Sequence, residues 1–164
     1  MTSRITPWTL AAVLAWAAGG ASATTTVNYI HPDKFSDVPF VTWDREDVLK
    51  RIAEHFQKLG DNLPAGQDLR IDVTDVDLAG REYPSARSGR DIRIVRGMAD
   101  WPRMDLHYAI EQNGQVIRSG DGHLQSMDYQ NRLTRYFDSD ALRYEKQMMD
   151  DWFEKNIAPI RPKR

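Results

Sequence analysis

Short stretches of the chain alternate apolar and polar residues, which is the pattern of β-strands that bury one face. Three such strands are predicted, at residues 24–30, 69–73 and 92–94. After the second stretch the apolar positions change parity, because Val76 is the next apolar residue. One extra residue would restore a single buried face, so we predict a β-bulge near residues 74–75. Residues 80–89 are polar and predict a long connection.

A β-hairpin is the strongest local prediction. Residues 104–110 alternate in polarity, and Asn113-Gly114 follows, a pair that readily takes the positive φ angles of a two-residue hairpin turn. We expect the return strand at residues 115–124. Pairing from the turn outwards predicts this register: Gln112 opposite Gln115, Ile110 opposite Ile117, Tyr108 opposite Ser119, and His107 and His123 on opposite faces.

Two segments place apolar residues at helical spacing. One covers residues 45–59 with Asp44 as its N-cap, and the other covers residues 141–156 with Asp140 as its N-cap. Residues 126–138 are ambiguous between a loop and a short helix. The predicted fold is therefore an α+β two-layer sandwich in the order β-α-β-β-β-β-α. It has a mostly antiparallel sheet of about five strands and two main helices on one face.

The first residues have the composition of a secretory leader. A short positive head precedes an apolar run from Trp8 to Ala18, and Ala21 and Ala23 are the small residues of a cleavage site. A membrane-spanning helix needs about 20 apolar residues, and this run is shorter. We predict a signal peptide at residues 1–23 and export to a bacterial periplasm. An uncleaved amphipathic anchor is the alternative.

The rest of the chain predicts one soluble domain at residues 24–158 and a frayed tail at residues 159–164. The full chain has a formal net charge of −2, and Arg4 is the only charged residue of the predicted leader. The mature part is therefore mildly acidic, which argues against nucleic acid as a partner. The absence of cysteine excludes disulfides, thiolate metal sites and cysteine nucleophiles. We expect no cofactor and no transmembrane segment in the mature protein.

Five stretches of the mature chain form a series whose order is more specific than any one of them. They are residues 27–38 (VNYIHPDKFSDV), 73–80 (VTDVDLAG), 91–95 (DIRIV), 102–104 (PRM) and 142–153 (LRYEKQMMDDWF). The series resembles domain-of-unknown-function family 3016, a family of exported bacterial proteins. The resemblance implies a secreted, single-domain protein, and it brings no catalytic or binding residue with it.

An arginine-rich stretch is the first candidate binding region. The arginines are interleaved with aromatic residues and few acids, and the candidate anion or partner patch comprises Arg87, Arg90, Arg93, Arg96 and Trp101. Guanidinium groups bind carboxylates and phosphates in bidentate fashion. A solvated loop with local ion pairs is the alternative interpretation.

Glu145 is the most unusual single residue, because it projects into the middle of the apolar arc of the second helix. A charge in that position is costly unless it is paired or hydrogen-bonded. We predict a buried carboxylate with an arginine partner from the sheet, with Arg93 as the first choice. The functional alternative is a carboxylate with a perturbed pKa in a cleft.

The remaining chemistry-bearing residues do not form a familiar set. The four histidines, His31, His55, His107 and His123, are expected to be unrelated, and the acids Asp72, Asp75 and Asp77 lack the spacing of a calcium loop. The sequence favours an exported, non-catalytic protein that binds an unknown protein or envelope component. A small hydrolase would need Glu145 or an acid of residues 72–77 to meet a histidine in one pocket. A metal-binding module is the third hypothesis.

Overall fold

A computed structural model describes residues 23–85, 91–97 and 99–159. The described part contains two α-helices, six strands and one turn of 3-10 helix at Pro32–Lys34. In chain order the elements are β1 (Thr25–Tyr29), α1 (Thr42–Gly60), β2 (Gln67–Asp77), β3 (Arg81–Pro84), β4 (Asp91–Ile94), β5 (Arg103–Gln112), β6 (Gln115–Gln125) and α2 (Arg143–Asn156).

The main sheet has four strands in the order β1-β2-β5-β6. β1 pairs with β2 in parallel, whereas the β2–β5 and β5–β6 pairs are antiparallel. Both helices contribute to one core with the buried face of this sheet. The predicted α+β class, with a mostly antiparallel sheet, is confirmed.

One strand was not predicted. The polar connection expected at residues 80–89 contains β3, which pairs with β4 in a separate two-stranded ribbon. The element order is therefore β-α-β-β-β-β-β-α. β3 has no fully buried residue, so it lacks the alternating apolar pattern that reveals a strand in a sequence. β3 is a strand because its backbone pairs with that of β4, a contact that polarity patterns in the sequence do not show.

The core lies between the sheet and the two helices. Phe56 of α1 and Phe153 of α2 are fully buried in one cluster with Ile71 and Val73 of β2. Both helices begin at positions other than those predicted: α1 starts at Thr42, so that Asp44 lies in its first turn. α2 starts at Arg143, and the Asp140 carboxylate accepts the Leu142 N–H at 3.0 Å just before it.

The β5–β6 hairpin has the predicted turn and a different register. Asn113 and Gly114 both have positive φ, at 54° and 75°, as the two-residue turn requires. Ile117 is an extra residue near the turn, because Ile110 lies opposite Arg118 and Glu111 lies opposite Val116.

Because of this bulge, the strand pairing further along the hairpin differs from the predicted pairing by one residue. Tyr108 lies opposite Gly120, His107 lies opposite Asp121, and His123 lies opposite Asp105. Both histidines therefore occupy the outer face of the sheet, which is the face away from the helices. One inserted residue reverses the side on which all later residues of a strand lie. The bulge predicted in β2 is confirmed between Val73 and Asp75.

Residues 126–142 form turns rather than a short helix. No helix among the described residues is long and apolar enough to span a membrane. The predicted leader up to residue 22 and the tail from residue 160 lie outside the described residues. Ala21 is therefore not placed, whereas Ala23 packs against the core.

Candidate functional site

A groove of about 690 Å³ lies beside the first turn of α1. We call it the aromatic groove, and its lining residues are Pro39, Phe40, Val41, Trp43, Asp44, Glu82, Asp91 and Arg93. Phe40 and Trp43 are 90% and 81% exposed, and Val41 is 49% exposed. Large aromatic side chains exposed together are typical of binding surfaces, whereas single exposed apolar residues are ordinary.

The local sequence explains why these aromatic side chains face solvent. α1 buries Leu49, Ile52 and Phe56 against the sheet. Trp43 lies about 120° around the helix from Leu49 at 3.6 residues per turn, so it is off the buried stripe. Arg45 donates a hydrogen bond to the Phe40 carbonyl at 3.3 Å, which ties the preceding segment to the helix. The exposed aromatic residues thus sit on an anchored part of the backbone.

Ion pairs hold the opposite wall of the groove. The Asp37 carboxylate accepts from Arg81 at 3.0 Å and from both terminal nitrogens of Arg93 at 3.1 Å. Arg93 also lies 3.5 Å from Glu82, and Arg81 donates to Asp77 at 3.0 Å. Desolvation lowers the pKa of the Arg81 guanidinium. The carboxylates of Asp77 and Asp37 together raise this pKa by a larger amount, so it lies above its ordinary value. The β3–β4 ribbon is therefore fastened to the main sheet by charges at several points.

The predicted arginine patch is only partly placed. The Arg93 side chain is 19% exposed and meets Asp37 and Glu82. Arg96 stacks over the Tyr83 ring at 4.8 Å, and Arg103 lies 5.8 Å from the centroid of Trp101. Arg87 and Arg90 lie outside the described residues. Of Arg93, Arg96 and Trp101, the patch residues that the structure describes, Arg93 is the one that lines the aromatic groove.

Glu145 lies in the interior, with 2% of its surface exposed. Its Oε1 accepts the Ala79 N–H at 2.8 Å, and its Oε2 has no hydrogen-bond partner among the described residues. Burial raises the pKa of Glu145, while the Ala79 N–H and the charge of Arg93 lower it by less. The predicted ion pair with Arg93 is wrong, because Asp37 binds that guanidinium through both carboxylate oxygens.

The outer face of the sheet carries a second, smaller groove of about 340 Å³. His123 lies 2.8 Å from Asp105, which raises the pKa of His123. The Ser36 hydroxyl donates to Asp75 at 2.6 Å on the same groove. Asp75, an acid of the 72–77 stretch, therefore shares a groove with a histidine. The serine hydroxyl is bonded to a carboxylate rather than to His123.

The three acids of the 72–77 stretch have separate partners. Asp72 accepts from Asn28 at 2.7 Å, Asp75 accepts from Ser36, and Asp77 pairs with Arg81 and Arg103. Within residues 23–85, 91–97 and 99–159, no group of three histidine or acidic side chains is arranged to hold a metal ion.

A buried polar cluster was missed in the sequence. His55 Nε2 lies 2.7 Å from Asp150 Oδ1, and the Tyr136 hydroxyl donates to Asp150 Oδ2 at 2.7 Å. His55 and Asp150 are 7% and 4% exposed. A signal was present, because each polar residue lies on the apolar side of its helix. The cluster links α1, α2 and the 126–142 segment, and it therefore stabilises the packing of these three parts.

The aromatic groove was also missed. Its signal was the pair Phe40 and Trp43, which lie close in sequence and have no place on the apolar stripe of α1. Only the position of the β3–β4 ribbon shows that they form one wall of a groove.

A family model described as "Protein of unknown function (DUF3016)" matches residues 23–155. The chain belongs to this family. The DUF3016 match runs from before β1 almost to the end of α2, so it includes the aromatic groove, Glu145 and the outer groove. The resemblance seen in the sequence is confirmed, and the family description leaves the function open. No curated protein and no solved structure matches the chain.

Proposed function

We propose that this DUF3016 protein is an exported, non-catalytic binding protein that recognises a partner protein of the cell envelope through the aromatic groove. The observation that carries the proposal is the exposure of Phe40 and Trp43, at 90% and 81%, along one wall of that groove. Tryptophan and other aromatic residues supply much of the binding energy at protein interfaces, because they bury large rigid surfaces.

The charges around the groove define the chemistry of the partner. Asp44 and Asp91 line it, whereas the third acid, Glu82, lies 3.5 Å from Arg93, which also pairs with Asp37. The groove is therefore apolar and acidic. A partner surface with apolar side chains and lysine or arginine complements it.

The proposal of export is based on the predicted leader. The contacts of Thr24, next to the predicted cleavage site, support it. The Thr24 backbone nitrogen lies 2.9 Å from Asp68 Oδ1. Cleavage after Ala23 converts this nitrogen into an ammonium group, which then faces a carboxylate. Thr24 also accepts a hydrogen bond from Leu69 at 2.8 Å, so the new terminus is held at the first strand.

Site-specific photo-crosslinking in bacteria that express the full chain tests the binding proposal. A benzoylphenylalanine residue replaces Trp43 in one strain and the exposed Leu133 of the 126–142 segment in a control strain. We expect a discrete adduct with one envelope protein from position 43 and not from position 133. We also expect the adduct to weaken more than about tenfold with Phe40→Ser, the loss typical of an interface anchor. Equal labelling from both positions, or no adduct from position 43, contradicts the proposal.

Hydrolysis is the second candidate function, because Asp75 and His123 line the outer groove together. His123 is paired with Asp105 and is placed to move a proton if a substrate enters the groove. Nitrophenyl esters and phosphates are suitable probes. Turnover that disappears in His123→Ala and persists in His107→Ala supports this candidate, and equal turnover in both variants rejects it.

A further inference from the structure

β6 is an open edge of the main sheet. Among the described residues it pairs with β5 on one side and with no strand on the other. Most of its side chains are exposed, in contrast to the central strands β2 and β5. Edge strands present unpaired backbone groups, and proteins usually protect them with proline, lysine or bulges. β6 contains neither proline nor lysine, and its one bulge lies at Ile117 near the turn. The stretch from residue 118 to residue 125 is left regular.

The outer face of this edge carries a self-complementary pair of charges. The side chains of Asp121 and His123 are 75% and 82% exposed, and within the monomer they pair with His107 and Asp105 of β5 at 2.9 and 2.8 Å. They are two residues apart, so both project on the same side of the sheet. A second copy of β6, running antiparallel around a two-fold axis at Gly122, brings Asp121 of each copy directly opposite His123 of the other. Opposite charges in directly opposed positions stabilise strand pairing.

We propose that two copies of this chain form a symmetric dimer by antiparallel pairing of their β6 strands in this register. The two four-stranded sheets then join into one sheet of eight strands. On the helix-facing side of the junction Gly120 and Gly122 carry no side chains, and Trp152 of α2 packs over Gly122. An isologous contact of this kind closes on itself and leaves no further edge for a third copy at that position.

The bulged residue Ile117 and Met127, in the turn after β6, lie on either side of the regular stretch, and they are 53% and 62% exposed. Contact between Ile117 of one copy and Met127 of the other covers apolar surface that the monomer leaves in water. Because one strand pair is a small interface, the dimer is a weak one that depends on protein concentration.

Sedimentation of the mature protein from about 10 μM to about 1 mM, the range of weak association, tests dimer formation. We expect the mass to rise from that of a monomer to that of a dimer. Asp121→Lys sets a positive charge opposite His123 and weakens association at least about threefold, within the range given for cross-strand charge pairs. Asp61→Lys changes charge equally at an exposed site away from β6 and leaves association unchanged. A monomer throughout the range overturns the proposal.

Engineered cysteines test the register, because the chain contains no native cysteine. In the proposed register Ser119 of one copy lies opposite Gln125 of the other, a separation that a disulfide spans. The Ser119→Cys/Gln125→Cys variant is expected to give a covalent dimer under mild oxidation. The Gln115→Cys/Gln125→Cys variant also has two exposed thiols on the same strand, but in the proposed register they are not opposite each other. This variant is expected to give much less covalent dimer. Equal or greater linkage in this second variant overturns the register.

Discussion

Glu145 illustrates how one residue combines a predictable position with an unpredictable partner. Its place on the apolar arc of α2 follows from helical periodicity, and its hydrogen bond to the Ala79 N–H depends on the packing of α2 beside the segment that follows β2. The carboxylate has a second oxygen without a hydrogen bond among the described residues. Burial therefore favours the neutral form of this side chain and raises its pKa.

The raised pKa of Glu145 predicts a pH-dependent stability cost. The unfolded chain releases this proton more readily than the folded protein, so the free energy of unfolding falls as pH rises above the unfolded pKa of about 4.3. Glu145→Gln replaces the group by its neutral counterpart. We expect equal stability near pH 4 and a growing advantage of the variant as the pH rises from the unfolded pKa to the raised pKa of the folded protein, of at most about 1.4 kcal/mol per pH unit.

Urea unfolding at several pH values measures this difference for Glu145→Gln. Glu46→Gln, at an exposed position of α1, is the matched control and is expected to show no such trend. A Glu145→Gln variant that is less stable than the native protein at pH 7 contradicts the prediction and indicates that the charge itself is required.

At the level of elements, α1 and α2 are joined by polar contacts as well as by the core. His55 of α1 and Asp150 of α2 form a buried hydrogen bond, and the Tyr136 hydroxyl completes it from the 126–142 segment. Arg51 of α1 also pairs with Asp140 at 2.7 Å. These contacts fasten a long segment without regular secondary structure onto both helices, so the segment keeps a defined path.

Tyr136→Phe removes one hydroxyl from the His55–Asp150–Tyr136 cluster and leaves Asp150 Oδ2 without its hydrogen-bond donor. A buried acceptor deprived of its hydrogen bond costs about 1–3 kcal/mol. We expect a loss of this size in the free energy of unfolding, together with faster proteolysis within residues 126–142. Tyr108→Phe is the control, because the Tyr108 hydroxyl has no hydrogen bond among the described residues. A similar loss of stability in both variants means that the Tyr136 hydroxyl is not a special contact.

At the scale of the whole molecule, the domain begins close to the predicted cleavage site. Ile30 donates to the Val73 carbonyl at 2.9 Å and Leu69 donates to the Thr24 carbonyl at 2.8 Å, so both ends of β1 are tied to β2. Cleavage at the predicted site, if it occurs, is therefore expected to leave these two hydrogen bonds in place. It changes the charge of one nitrogen, which lies beside Asp68.

Asp68→Asn is expected to distinguish the mature protein from the uncleaved chain. In protein that begins at Thr24 the substitution removes an exposed ion pair worth about 0.2–1 kcal/mol. In the uncleaved chain the same nitrogen is an uncharged amide, so the effect is smaller. Because the ammonium form is favoured in the folded state, this stabilisation is present below about pH 8 and is lost at higher pH.

Amino-terminal sequencing of exported material, followed by thermal unfolding of both forms, measures the effect of Asp68→Asn. Asp61→Asn, at another exposed acid, is the control. Equal effects of Asp68→Asn in the mature and uncleaved forms contradict the expected role of the new terminus.

The sequence by itself determined the elements whose signal is local. The Asn113-Gly114 turn, the bulge between Val73 and Asp75 and the apolar stripes of both helices were all predictable. Backbone conformation and periodicity decide such features within a few residues of the chain. The order of these elements was also enough for the α+β class, and the series of short stretches that resembles the DUF3016 family was enough for the family.

Only the tertiary structure decided which distant residues meet. His55 and Asp150 are 95 residues apart in the chain, and the Asp37–Arg93 pair and the aromatic groove also join separate elements. Because one residue of β6 is bulged, His123 lies on the outer face of the sheet and not on the face that was predicted. Such contacts depend on strand register and helix docking, and a shift of one residue reverses the face on which a side chain lies.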